Sequence, residues 1–225
     1  MPQFDFIFML TRNDRTVEDA LIHVETALRA GIGHIGFKDI GLPFDELARL
    51  SRRIKDAGAS AYIEVVSLDR ESELRSVKAA LDLGVDFLLG GTHVDDVLPI
   101  IEGTALRYYP FPGRISGHPS VLEGDEASIV ASAVTIARHA GVSGLDLLAY
   151  RAKGNAPALI KAICAAVSKP VIVAGSIDSE EQVRAARAGG AAGFTIGTSA
   201  LDGRFPADGT SLEAQLAAIS QAARR

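Results

Sequence analysis

The sequence predicts an α/β protein, a single (β/α)8 barrel of parallel strands occupying the whole of its 225 residues. Three observations carry that expectation. Eight short β-branched or aromatic runs alternate with segments of helical periodicity, at roughly 22–30 residues per unit, a spacing that suits a closed parallel barrel better than an open sheet. A glycine turn recurs before every second strand. Two glycine-containing turns follow the last two strands, where such barrels build an anion site.

The strand-like runs are Phe4–Leu10, His34–Phe37, Ala61–Val66, Phe87–Leu89, Leu106–Phe111, Leu145–Leu148, Val171–Val173 and Phe194–Ile196. Between them, Val17, Leu21, Val24 and Leu28 form one helical face, Leu47, Leu50 and Ile54 a second, and Ile129, Ala133, Ile136 and Ala140 a third. The turns Ala30-Gly31, Leu83-Gly84, Ala140-Gly141 and Ala188-Gly189 share one plan, in which glycine closes a helix in the left-handed conformation and a strand starts a few residues later. The interval after the fifth strand is the longest. There Pro112-Gly113-Arg114-Ile115-Ser116-Gly117-His118-Pro119 reads as a rim or lid over the mouth. No linker or low-complexity stretch divides the chain.

Composition narrows the function classes. Hydrophobic residues make up 48% of the chain and mean hydropathy is +0.20, as in a compact globular domain. A net charge of -5 leaves no electrostatic footprint for nucleic acid or an anionic membrane. The one cysteine, Cys164, lies in a helical apolar run and has no internal partner, which makes a reducing, cytoplasmic setting the expectation. The N-terminus lacks a basic start and a small-residue cleavage site, so it reads as a first strand. No apolar stretch suffices to span a bilayer. A homo-oligomer is compatible with these residues, which carry no signal of copy number.

Function enters through the last quarter. Ala174-Gly175-Ser176-Ile177 and Ile196-Gly197-Thr198-Ser199-Ala200 each follow a strand and precede a helical pattern, so glycine allows close approach to a ligand and backbone N–H groups face it. Gly175, Ser176, Gly197, Thr198 and Ser199 are therefore the expected phosphate-binding residues. Ala174 to Glu181, Ala188-Gly189-Gly190-Ala191 and Ile196 to Ala200 resemble the phosphate end of the ribulose-phosphate-binding barrels. That superfamily includes the phosphoribosyl isomerases of histidine and tryptophan synthesis, sugar-phosphate epimerases and thiamine phosphate synthase. The resemblance implies a phosphorylated small-molecule substrate. Ser176 replaces the usual second glycine after the seventh strand, and its hydroxyl is itself a phosphate donor. The Asp-x-Lys-x-x-Asp signature of the phosphosugar decarboxylases is absent, the third strand reading Tyr62-Ile63-Glu64-Val65.

Strand parity selects the catalytic candidates, because alternate residues of a barrel strand face the interior. Ile35 and Phe37 suit the helix side, turning Lys38 inward; Ile63 and Val65 do the same for Glu64, and Leu145 and Leu147 for Asp146. A desolvated lysine with a depressed pKa serves as base or Schiff-base amine, while a charged one stabilises an enolate. Arg12, His93, Tyr109, His118 and Arg151 are expected substrate contacts on the rim, Tyr109 facing inward provided that Tyr108 packs outward. No cofactor motif is present, and no His-Glu-x-x-His or paired-cysteine spacing points to zinc. The reactions left open are an isomerase, epimerase or aldolase-type lyase working through a carbonyl or enol. A metal-assisted enolate lyase using Asp39, Glu64 and Asp146 and a non-catalytic phosphate-ligand sensor are the alternatives.

Overall fold

In the computed structural model, which describes residues 4–225, eight parallel strands form one sheet: β1 (Asp5–Met9), β2 (His34–Lys38), β3 (Ser60–Val65), β4 (Phe87–Gly90), β5 (Arg107–Tyr109), β6 (Leu145–Leu147), β7 (Val171–Val173) and β8 (Gly193–Ile196). The strand order is β6-β7-β8-β1-β2-β3-β4-β5. Between β5 and β6 the ring is completed by the parallel Tyr108–Val142 bridge, with Ser143 N donating to Tyr108 O at 2.8 Å and Asp146 N to Pro110 O at 3.0 Å. Around it lie α1 (Ala20–Arg29), α2 (Phe44–Asp56), α3 (Arg70–Leu83), α4 (Val94–Ile101), α5 (Glu126–Ala137), α6 (Ala156–Ala166), α7 (Glu180–Ala188), the single-turn α8 (Thr198–Leu201) and α9 (Leu212–Arg224).

Side-chain alternation divides the core in two. Phe6, Phe8, Ile35, Phe37, Ile63, Val65, Tyr108, Leu145 and Leu147 pack outward against the helices. Ile7, Met9, Tyr62, Phe87, Leu89, Tyr109 and Ile172 fill the barrel itself. Full burial of each such side chain contributes about 1.5–3 kcal/mol, and the Tyr62 and Phe87 rings add a stack with centroids 4.1 Å apart. Gly36 is required for this filling: a Cβ there would collide with Met9 Sδ and lie 3.1 Å from Tyr62 Cβ.

Several local expectations change. The interval after β5 is an antiparallel hairpin, Arg114–Ser116 paired with Val121–Glu123. A smaller hairpin, Thr11–Arg12 paired with Arg15–Thr16, follows β1 and has no counterpart in the sequence reading. Gly31, Gly84 and Gly190 adopt φ of +75, +63 and +93°, whereas Gly189 caps α7 at −73°. Gly141 is not left-handed; it is needed for space, since a Cβ would lie 2.7 Å from Leu98 Cδ2. Because α1 begins at Ala20 and turns Ala20, Val24 and Ala27 to the barrel, Leu21 is left 37% exposed. Ala140 lies beyond the end of α5.

Candidate active site

The C-terminal ends of the strands open into a cavity of about 510 Å³ whose wall includes Lys38, Glu64, Arg151, Gly175, Ser176 and Gly197. Lys38 ends β2 and Glu64 precedes the last residue of β3, in register with it. Lys38 Nζ lies 2.8 Å from Glu64 Oε1 and 3.2 Å from Asp14 Oδ1, and all three side chains are at most 4% exposed. The end of β2 is pinned by the first hairpin, where Thr16 Oγ1 accepts from Lys38 N and donates to Lys38 O, each at 2.9 Å.

Charge in this enclosed space is balanced. Burial opposes the Lys38 charge, but the carboxylates of Glu64 and Asp14 outweigh it and hold the ammonium above the ordinary lysine range. Of the two states open to Lys38 in the sequence, a depressed pKa and a retained charge, the two anionic neighbours favour the charged one. Burial likewise opposes ionisation of Asp14, yet the Arg151 hydrogen bond and the Lys38 charge hold its carboxyl well below its usual range. Two cations and two carboxylates leave no compensation for a third anion. Asp146 is that third carboxyl: burial first, then the Glu64 carboxylate, push it well above the usual carboxylate range. It is fully buried, and among the described residues neither of its oxygens has a hydrogen-bond partner. Asp146 faces the barrel interior as parity requires, but it stands behind the cavity wall and does not line it.

At the β7 and β8 ends, Gly175 and Ser176 have φ of +79 and +59°. Ser176 holds the left-handed conformation that glycine usually supplies. A Cβ on Gly175 would lie 2.7 Å from Arg151 Nε, so glycine is what lets the guanidinium lie across this turn. Arg151 Nε donates to Ser176 Oγ at 3.3 Å. Gly197 admits the close packing of β8 on β1 and the first hairpin, since its Cβ would meet Met9 O at 2.8 Å. Thr198 Oγ1 donates to Thr11 O at 3.3 Å. Ser199 lines the cavity with its hydroxyl buried and without a hydrogen-bond partner among the described residues.

Other sequence candidates lie elsewhere. Arg12 is on the rim, bound to Asp202 at 2.7 Å and outside the cavity wall, because its hairpin strand turns it toward α8. His93 is bound to Glu73 of α3, Nδ1 to Oε2 at 2.7 Å, and does not line the cavity. Tyr109 does face inward, with Tyr108 outward, but it packs among the barrel-filling side chains beside Phe87 and not on the cavity. His118 is exposed in the second hairpin beside Pro119 and Ser120, which do reach the cavity. Asp39, grouped with Glu64 and Asp146 as a candidate magnesium set, turns away to Ser76 Oγ at 2.6 Å and Val66 N at 3.3 Å. Among the described residues, no group of three or more His, Cys, Asp or Glu is placed to hold a metal.

Sequence reasoning missed Asp14, Ser120, Thr195 and Arg204, all of which line the cavity. A signal for Asp14 existed: Asn13-Asp14 between two short polar pairs is a two-residue hairpin turn. Arg15 and Thr16 offered too little β-pattern to reveal the pairing.

Comparisons with known proteins follow the same lines. No family model matches the chain. It is 27% identical over 186 residues to thiamine-phosphate synthase 2 of Streptococcus pneumoniae, covering 77% of each chain. Among solved structures, orotidine 5'-phosphate decarboxylase from Pyrococcus horikoshii superposes with a TM-score of 0.69 at 14% identity, covering 98% of this chain and 99% of the other. Phosphoribosylanthranilate isomerase from Thermotoga maritima gives 0.68 at 12% identity, covering 99% and 100%. The fold is a (β/α)8 barrel with its mouth cavity at the C-terminal ends of the strands. The likeness to these two solved structures is one of fold, the parallel (β/α)8 barrel. No helix among the described residues is long and apolar enough to cross a membrane.

Proposed function

We propose that the chain is an enzyme acting on a phosphorylated small molecule, a sugar phosphate or a close relative, by moving a proton next to a carbonyl. The observation that carries this reading is the buried Lys38–Glu64 contact of 2.8 Å, in one cavity with the Gly175-Ser176 and Gly197-to-Ser199 turns. The turns hold the phosphate through backbone N–H groups and the free Ser199 hydroxyl. The Lys38 ammonium hydrogen-bonds the carbonyl oxygen and stabilises the enolate formed there. Glu64 takes the proton from the adjacent carbon and returns it at that carbon or its neighbour, giving epimerisation or isomerisation. Asp146, its carboxyl held well above the usual range by burial and the Glu64 charge, acts behind the wall as a positioning residue for Glu64. Similarity to an enzyme named for a phosphorylated product supports the phosphate end of this reading.

An aldolase-type lyase remains the second reading, because Glu64 is placed to accept a proton from Lys38 and free the amine for iminium formation. Both are tested with a panel of phosphorylated aldoses and ketoses in D2O, followed by proton NMR. The expected result is deuterium incorporation beside the carbonyl of at least one compound, far slower for its unphosphorylated analogue. Lys38→Met, folded by circular dichroism, should lose about 10²–10⁴-fold of that rate. Full turnover by the variant removes Lys38 from the chemistry. Borohydride trapping of the protein on substrate selects the iminium lyase, and binding without exchange across the panel selects a sensor.

A further inference from the structure

Asp14 is a buried carboxylate in the mouth to which the chemistry above gives no task. It occupies the second position of the two-residue turn Asn13-Asp14, closed by the Arg12–Arg15 pair, and both turn residues are left-handed, at φ of +52 and +56°. Turns of this kind favour glycine at that position, and any side chain there costs free energy. The chain nevertheless keeps a carboxylate in the turn and buries it to 3% exposure. Its oxygens are spent on the site. Oδ1 lies 3.2 Å from Lys38 Nζ and accepts from Arg151 Nη2 at 2.9 Å. Oδ2 accepts from Arg151 Nη1 at 2.7 Å and from Ser120 N at 2.9 Å. Arg151 also donates to Ser120 O at 3.2 Å, so both backbone polar groups of that residue in the second hairpin are gripped by one ion pair. From there Arg151 reaches the phosphate turn at Ser176.

We propose that Asp14 is a positioning residue of this site: it fixes the Lys38 ammonium toward the cavity and, through Arg151, latches the second hairpin over the mouth. The active-site role rests on the functional reading above. The latch rests on the contacts themselves.

Two variants test it. Asp14→Gly suits the turn better than the natural residue while deleting the carboxylate, and Asp14→Asn keeps the shape but loses the charge. Acylation of Lys38 at pH 8, read by mass spectrometry against exposed Lys161 on α6, should accelerate at least 10-fold, since losing a neighbouring anion lowers an ammonium pKa by roughly one pH unit or more. Hydrogen exchange at the Ser120 amide should accelerate by about 10-fold or more, the loss of one charge-assisted hydrogen bond. The Lys161 rate should stay constant, a control that general loosening of the fold would fail. Wild-type rates at both Lys38 and Ser120 in either folded variant overturn the proposal. Titration of the wild type with inorganic phosphate, followed by phosphorus NMR, judges the functional reading separately. No binding there, with both rates raised in the variants, removes the phosphate site and leaves the latch standing.

Discussion

Asp146 shows how one residue records the charge state of its surroundings. Its carboxyl is enclosed by the barrel, neither oxygen has a partner among the described residues, and Glu64 supplies a repelling charge. An ionised group so placed would be costly, and the proton is the means of avoiding that cost. The sign of the linkage follows. A carboxyl with a raised pKa is protonated in the folded chain when the unfolded chain has already lost its proton. Its contribution is intact below the unfolded value of about 3.9 and is lost as pH rises from there toward the folded value, at up to about 1.4 kcal/mol per pH unit. Asp146→Asn is neutral at every pH and lacks this dependence. Urea unfolding at pH 4.5, 6 and 7.5 should therefore show the variant gaining on the wild type as pH rises. Parallel stability profiles for the two proteins would mean that Asp146 is ionised in the fold.

At the scale of elements, what the sequence reveals is whatever repeats with a short period. The two-residue alternation in β2, β3 and β6 turns Lys38, Glu64 and Asp146 to the inner face, whereas in β5 it leaves either Tyr109 or Tyr108 as the inner residue, and the fold turns Tyr109 inward. Depth along a strand has no such signature. Tyr109 shares inward parity with Asp146 yet belongs to the barrel filling. Contacts between elements distant in sequence are equally silent, and the β4–α4 turn illustrates this. Gly90 and Gly91, at φ of +78 and +80°, fold the chain so that Thr92 N and His93 N both donate to the fully buried Glu73 of α3, at 2.9 Å to its Oε1. His93 Nδ1 completes the clamp. A histidine after a barrel strand looks like a substrate ligand in the sequence, and only α3 reveals its partner. Glu73→Gln turns one acceptor oxygen into a donor facing donors. The urea midpoint should fall by the equivalent of about 1–3 kcal/mol, with inorganic phosphate affinity unchanged. A loss of phosphate binding without loss of stability would return His93 to the site.

For the whole molecule, the decisive fact is that the cavity draws on both ends of the chain. Asp14 and Lys38 come from its first fifth, while Gly175, Ser176 and Ser199 come from its last quarter, and β1 lies directly beside β8. A ligand seated there contacts strands that exist as neighbours only in the closed barrel, so it binds the folded chain and not the unfolded one. At a phosphorylated ligand concentration 100 times its Kd, the linkage adds about 2.7 kcal/mol. For a chain of this length that corresponds to a rise in Tm of roughly 5–10 °C, at 2–4 °C per kcal/mol. Phosphate also stabilises proteins non-specifically by exclusion from their surfaces, so the size of the rise is not sufficient on its own. The discriminating comparison is Ser199→Ala. Its hydroxyl has no partner among the described residues to lose, so the unliganded Tm should hold or rise slightly. The ligand-induced rise should shrink, whereas an exclusion effect would be the same in both proteins. Equal ligand-induced rises in wild type and variant, or equal rises with the phosphorylated ligand and its unphosphorylated analogue, would locate the phosphate away from the β7 and β8 turns.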